Sequence, residues 1–144
     1  MRRATWAALG IFPVLLAAAC SSSSATGGSP LVSSTQTVQA GPVTVEATWE
    51  DVGSGLSFHV KLDNHEIDLD GVALTGATLI NDRGDRLAAK EWAAPSGGHH
   101  REGSLLFTGG AGPFLAGARW VELTLPAIGS NSVPPMRGTL GASS

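Results

Sequence analysis

Two segments, Val43-Thr-Val-Glu-Ala-Thr-Trp49 and Leu56-Ser-Phe-His-Val-Lys-Leu62, decide the fold of this chain. In both segments apolar residues alternate with polar ones, so that every second side chain lies on the same side of an extended backbone. A strand with this pattern buries one face in a core and exposes the other face to water. The two segments therefore predict a pair of half-buried antiparallel β-strands.

Shorter stretches with the same period indicate further strands, at residues 67–69, 77–81, 86–92, 104–108, 120–125 and 136–140. The stretches 77–81 and 86–92 flank Asp82-Arg83-Gly84-Asp85, which predicts a hairpin in which Gly84 has a positive φ. Pro134 and Pro135 precede the last strand and place it at a sheet edge, because proline cannot donate a ladder hydrogen bond. No amphipathic helix is predicted after the first 20 residues.

The number and spacing of these strands predict an all-β fold, an antiparallel Ig-like β-sandwich, with a small β-barrel as the alternative. We expect this domain to span residues 37–141. The chain has a single cysteine, Cys20, so it lacks the pair needed for the intersheet disulfide of immunoglobulin domains. Packing of one hydrophobic core must then stabilise the fold.

The first 20 residues have the pattern of a secretory leader that ends at this cysteine. Arg2 and Arg3 form a basic n-region, and the apolar run that follows ends in small residues. The sequence Leu-Leu-Ala-Ala-Ala-Cys at 15–20 resembles the lipobox of bacterial lipoproteins, although Ala17 stands where that family prefers Leu, Val or Ile. The resemblance implies that residues 1–19 are a lipoprotein signal peptide and that Cys20 is acylated, as in palmitate-bearing lipoproteins. A plain signal peptide or a short membrane anchor is the alternative.

The segment 20–36 is predicted to be the lipidated cysteine followed by a flexible Ser/Gly-rich tether, because 21–30 has no apolar pattern. Removal of the leader leaves seven basic residues against twelve acidic ones, a net charge of −5. This balance disfavours nucleic acid as a partner. We expect a protein of the cell envelope, anchored in the membrane by its lipid and facing the periplasm or the exterior, with an envelope protein as a candidate partner.

Two segments, 62–71 and 92–103, form the candidate site because they hold three of the four histidines. Their patterns are Leu-Asp-x-His-x-x-Asp-Leu, from Leu62, and Trp-x-x-Pro-x-Gly-Gly-His-His-Arg-x-Gly, from Trp92. Together they resemble an uncharacterised family of bacterial secreted β-sandwich domains. The resemblance implies a sandwich fold and a shared site, but it implies no reaction.

In the first interpretation, the candidate residues hold the two segments together as a structural brace or bind a ligand; they are His65, Asp68, His99, His100 and Arg101. Histidines would bond to loop carbonyls, and Arg101 would form an ion pair with Asp63, Asp68 or Asp70. In this interpretation the protein is a non-enzymatic binding or structural module.

In the second interpretation, His65, His99 and His100 bind a divalent transition metal, Zn²⁺ or Cu²⁺, with an aspartate as a further ligand. The protein would then be a metal-binding accessory protein. Adjacent residues of a strand point to opposite faces, so His99 and His100 would share one ion only in an irregular loop. A hydrolase is the least favoured alternative, since no nucleophile and base can be paired from the sequence.

Overall fold

The computed structural model describes residues 35–52 and 55–140. The predicted signal peptide, Cys20 and the tether as far as residue 34 lie outside the described residues. Nine strands and one short helix follow each other along the described chain: β1 (Thr35–Ala40), β2 (Val43–Val52), β3 (Gly55–Asp63), β4 (Thr78–Asn81), β5 (Arg86–Ala88), β6 (Glu91–Ala93), β7 (His100–Phe107), α1 (Ala111–Leu115), β8 (Trp120–Thr124) and β9 (Met136–Thr139).

The strands form two antiparallel sheets, with the orders β1-β2-β3-β7-β6 and β5-β4-β8-β9. Buried side chains of both sheets, such as Phe107 and Leu123, belong to one hydrophobic cluster. The predicted all-β sandwich is confirmed, and over residues 35–52 and 55–140 the strands do not close into a barrel. The first three strands lie side by side in one sheet, whereas an immunoglobulin constant domain places its third strand in the second sheet.

The long pair β2 and β3 forms the middle of the larger sheet, as its sequence predicts. Val45 lies opposite Leu62, and both side chains are fully buried. Trp49 lies opposite Phe58, and their rings meet edge to face with centroids 4.6 Å apart. Cross-strand pairs of this kind fix the register, because a shift by one residue would turn the whole apolar face towards water.

The stretch 86–92, predicted to be one strand, is divided between the two sheets. The predicted hairpin is formed by β4 and β5, with Gly84 at φ 83° in its turn. The chain then crosses to the larger sheet at two residues: the N–H of Ala89 donates to Ala77, and the N–H of Lys90 donates to Leu106. The period-two pattern continues through this crossing, so the sequence gives no sign that the strand changes its sheet.

The predicted strand at 67–69 is wrong, because these residues lie in a loop that covers one end of the core. Leu69 is fully buried there without belonging to a strand. The predicted strand at 104–108 is longer than expected and begins at His100, so His100 and Arg101 are strand residues. The pattern is interrupted in this part of the chain by Gly103, which hides the first half of β7.

The one helix among the described residues, α1, is a single turn that was not predicted. It follows Gly110, which has a φ of 73°, and it buries Ala111 and Phe114. Five residues are too few to show a helical period in the sequence. No helix in the described ranges is long and apolar enough to cross a membrane.

Leu105 and Leu106 are neighbours in β7 on opposite faces of the sheet, and only Leu105 is fully buried. We expect Leu105→Ala to lower the free energy of unfolding by about 2–5 kcal/mol, because it leaves a cavity in the core. The matched control, Leu106→Ala, removes the same atoms from the outer face and should cost about 1 kcal/mol or less. Urea unfolding measures both values, and equal losses would contradict the assigned faces.

Candidate functional site

The two predicted segments meet at one end of the larger sheet. Asp63 ends β3, His100 begins β7, and these two residues are the last pair of the ladder between the strands. The loop 64–72 follows the first strand, and the loop 94–99 precedes the second, so the antiparallel pairing places them next to each other. We call this pair of loops the brace end.

Asn64 connects the loops and was missed by the sequence analysis. Its side chain is only 3% exposed. Its Oδ1 accepts hydrogen bonds from the N–H groups of Glu66 and Ile67, at 2.8 and 2.7 Å, which fold the first loop into a turn. Its backbone N–H and its Nδ2 both donate to the carbonyl of His99 in the second loop. A buried amide with all these partners satisfied ties the two loops together.

Asp70 makes a second connection. Its Oδ1 accepts from the N–H groups of Gly97 and Gly98, at 2.8 and 2.9 Å, while the N–H of Leu69 donates to the Gly98 carbonyl at 2.7 Å. Gly98 has a φ of 56°, a conformation in which a side chain would be strained. The bonds from Gly98 and Gly97, together with the charge of Arg101, hold the pKa of Asp70 below its usual value.

Arg101 makes the largest number of contacts at the brace end. Its guanidinium donates to five carbonyl oxygens, those of Pro95 (3.1 Å), Leu69 (2.9 Å), Asp70 (3.1 Å), Val72 (2.5 Å) and Ala94 (3.3 Å). These carbonyls come from both loops. The guanidinium also lies 5.9 Å from the centre of the Trp92 ring. One side chain therefore holds both loops by their backbones.

The predicted ion pair between Arg101 and an aspartate is not formed in the described part of the chain. The guanidinium of Arg101 binds carbonyl oxygens and not carboxylates, because the side chain extends from β7 towards the backbone of the loops 64–72 and 94–99. One of the three carboxylates expected beside the arginine, that of Asp63, instead contacts His100, with Nδ1 and Oδ2 3.0 Å apart. Asp68 accepts a hydrogen bond from the N–H of Asp70 within its own loop.

The three histidines lie close together but have different surroundings. Nδ1 of His99 is 2.9 Å from the carbonyl of Ile67, a contact between the two loops. The rings of His65 and His100 meet edge to face, with centroids 5.7 Å apart. All three histidines are exposed. Within the described ranges no group of three or more His, Cys, Asp or Glu side chains is placed so that it could hold a metal ion.

A shallow cleft lies beside the brace end, between the loop 67–73 and the loop 127–131. Its volume is about 440 Å³. Its polar lining side chains are those of Asp68, Ser130 and Asn131, and the remaining lining is small or apolar. This lining contains no histidine, and among the described residues no hydrogen bond joins its carboxylate, that of Asp68, to its serine hydroxyl, that of Ser130.

The opposite sheet has a second brace of the same design, in the turn between β4 and β5. Asn81 is 1% exposed, and its Oδ1 accepts from the N–H groups of Arg83 and Asp85. Its Nδ2 donates to the carbonyl of Phe114 in α1, and Arg83 donates to carbonyls of the same helix, including that of Pro113. A buried asparagine and an arginine that binds carbonyls therefore occur twice in this fold.

Asp70→Asn keeps the oxygen that accepts from the loop backbone but removes the charge. A carboxyl whose pKa is lower in the folded state adds stability above its unfolded pKa and loses it as the pH falls through its folded value. We therefore expect the variant to be less stable than the wild type at neutral pH, and the difference to shrink as the pH falls through the lowered pKa of Asp70 in the folded state. Urea unfolding at a series of pH values tests this, and a difference that stays constant with pH would contradict it.

No family model, no curated protein and no solved structure matches this chain. The geometry of the brace end and the sequence of the N-terminus are therefore the features that support a function for this chain.

Proposed function

We propose that the protein is a lipid-anchored β-sandwich of the bacterial cell envelope, which acts as a non-enzymatic binding or structural module. The observation that carries this proposal is the set of five carbonyl oxygens bound by Arg101. The charged side chains of Arg101 and Asp70 bind backbone groups of the two loops. This arrangement supports a structural role for the two loops.

A catalytic group needs a free atom within hydrogen-bond reach of a substrate. Asp70 uses one carboxylate oxygen for two backbone N–H groups, and Nδ1 of His99 contacts a carbonyl. The cleft beside them offers one carboxylate, that of Asp68, and one hydroxyl, that of Ser130, and no hydrogen bond joins the two in the described part of the chain. These features support a module that binds a partner through its surface and does not catalyse a reaction.

The proposed anchor agrees with the direction of the first strand. If Cys20 is lipidated, the chain enters the sandwich at Thr35, and β1 then runs towards the turn at Gly41. That turn lies at the brace end, because Val43 begins the strand whose residue Thr44 pairs with Asp63. The brace end is then the end of the larger sheet towards which β1 runs, away from the point where the chain enters the sandwich.

A metal-binding accessory protein is the second candidate, and the position of His99 favours it. A carbonyl oxygen can only accept, so Nδ1 of His99 carries the proton in its contact with Ile67. Nε2 of the neutral ring then has a free lone pair, as in histidines that bind Zn²⁺ or Cu²⁺. The exposed rings of His65 and His100 would have to move to supply the other ligands, because no group of three such side chains in the described ranges is placed to hold an ion.

Arg101→Lys tests the brace. Lysine has three donors on one nitrogen in place of the five donors of the guanidinium fork, so we expect a loss of about 2 kcal/mol in the free energy of unfolding. Arg86→Lys, an exposed change in β5, is the matched control and should change the stability by about 0.5 kcal/mol or less. Thermal and urea unfolding of both variants measure the effect, and equal stability of the two would contradict the brace.

The same melts with Zn²⁺, Cu²⁺ or Ni²⁺ added after chelation test the second candidate. A ligand that binds only the folded state raises the melting temperature. A structural brace predicts no rise with any of these ions. A rise in the wild type that is lost in the His65/His99/His100→Ala variant would establish the metal site instead.

The lipid anchor has its own test at Cys20. We expect Cys20→Ser to abolish incorporation of labelled palmitate, because serine lacks the thiol that is acylated. Ser21→Ala, the neighbouring control, should leave the incorporation unchanged. Labelling followed by purification of each variant measures this, and a Cys20→Ser protein that still carries the label would contradict the anchor.

A further inference from the structure

The sandwich has four edge strands, and three of them are protected. β5 and β6 have three residues each, and they begin with the charged residues Arg86 and Glu91. β9 has four residues, carries Arg137 and follows two prolines. Short length, charge and proline are the devices by which proteins keep a sheet edge from pairing with another chain.

The fourth edge, β1, has none of these protections. It has six residues, Thr-Gln-Thr-Val-Gln-Ala, with no charge and no proline. It pairs with β2 along one side, and in the described part of the chain no strand pairs with its other side. An edge of this length and composition is a template for another strand.

We propose that β1 pairs antiparallel with β1 of a second copy of this chain, so that two five-stranded sheets become one sheet of ten strands. A two-fold axis perpendicular to the sheet relates the copies and keeps the outer faces on the same side. Most soluble homo-oligomers close in this way, through one self-complementary patch. This proposal does not depend on the lipid at Cys20.

The two-fold axis restricts the register. The exposed residues Thr35, Thr37 and Gln39 must face exposed residues of the second copy. When Thr37 lies on the axis opposite itself, Thr35 faces Gln39 on both sides, and all three outer positions are paired. The next register towards Gly41 leaves Thr35 opposite the turn, so the register centred on Thr37 makes the most pairs.

Each outer pair in this register has a precedent within the chain. Between β1 and β2, the hydroxyls of Thr35 and Thr48 lie 2.8 Å apart, and Nε2 of Gln39 donates to the Thr44 hydroxyl at 2.9 Å. The dimer would repeat both pair types, as Thr37 with Thr37 and Thr35 with Gln39. Because β1 carries no charge that would select a charged peptide, this self-complementarity points to a second copy as the partner.

Disulfide trapping in the full-length protein tests the pairing. Thr37→Cys places two thiols opposite each other on the axis, so we expect mild oxidation in the membrane to give a covalent dimer. Thr124→Cys, exposed on the outer face of the smaller sheet, should stay monomeric, and the wild type controls for dimers formed through Cys20. A Thr37→Cys protein that stays monomeric, or that links only to a different protein, would overturn the proposal.

A charge swap tests the register independently. Two differently tagged copies of the full-length wild-type chain should co-purify. The two tagged copies should no longer co-purify when both carry Thr37→Lys or both carry Thr37→Glu, because like charges then face each other across the dimer. A mixture of the Lys and Glu variants should restore co-purification. Residue 37 also faces Glu46 of β2 within each copy, so Thr37→Glu should lower the melting temperature, and circular dichroism checks that both variants fold. Loss of association in the mixture, or its persistence in the like-charged pairs, would contradict the pairing of β1 with itself.

Discussion

The brace end depends on one constraint, which is that its loops carry partly buried backbone groups and the described fold has no disulfide to hold them. Asn64 and Arg101 meet that constraint with hydrogen bonds, one from a 3% exposed amide and the other from a guanidinium that reaches five carbonyls. A buried carbonyl without a partner costs about 1–3 kcal/mol. The end of β3 and the beginning of β7 stay in register at the pair Asp63 and His100, because Asn64 and Arg101 hold the two adjoining loops together.

Strand alternation made the two-sheet architecture predictable, since β2 and β3 are long enough for the period to be unambiguous. The same reasoning failed at Ile67 and Leu69, where an alternating stretch is a loop. There Asn64 binds the N–H groups of the next turn and prevents the backbone from extending. A side chain that competes for local backbone bonds decides between loop and strand, and the apolar pattern does not record it.

The structure brings the two predicted segments together, but Arg101 binds carbonyl oxygens where the sequence predicted an aspartate. Charge suggested that Arg101 would pair with an aspartate, yet the ladder makes it a neighbour of Leu62 on the inward side while His100 faces Asp63. That outcome follows from the start of β7 at His100, which Gly103 conceals in the sequence. Asn64 was missed because a single asparagine gives no motif, and only its burial reveals that it holds the loops.

The contrast between the brace end and the β1 edge explains why the proposed interaction would occur through the backbone. At the brace end the polar side chains bind the chain's own carbonyls and N–H groups, which limits what they can offer another molecule. The side chains of β1 are uncharged. On the side of β1 away from β2, where no described strand pairs with it, backbone N–H and C=O groups point outward. A second copy satisfies those groups without requiring any group of the brace, so variants of Arg101 and of Thr37 should act on separate properties. Sites that share no partner have additive effects, and a double variant with both losses undiminished would agree with this separation.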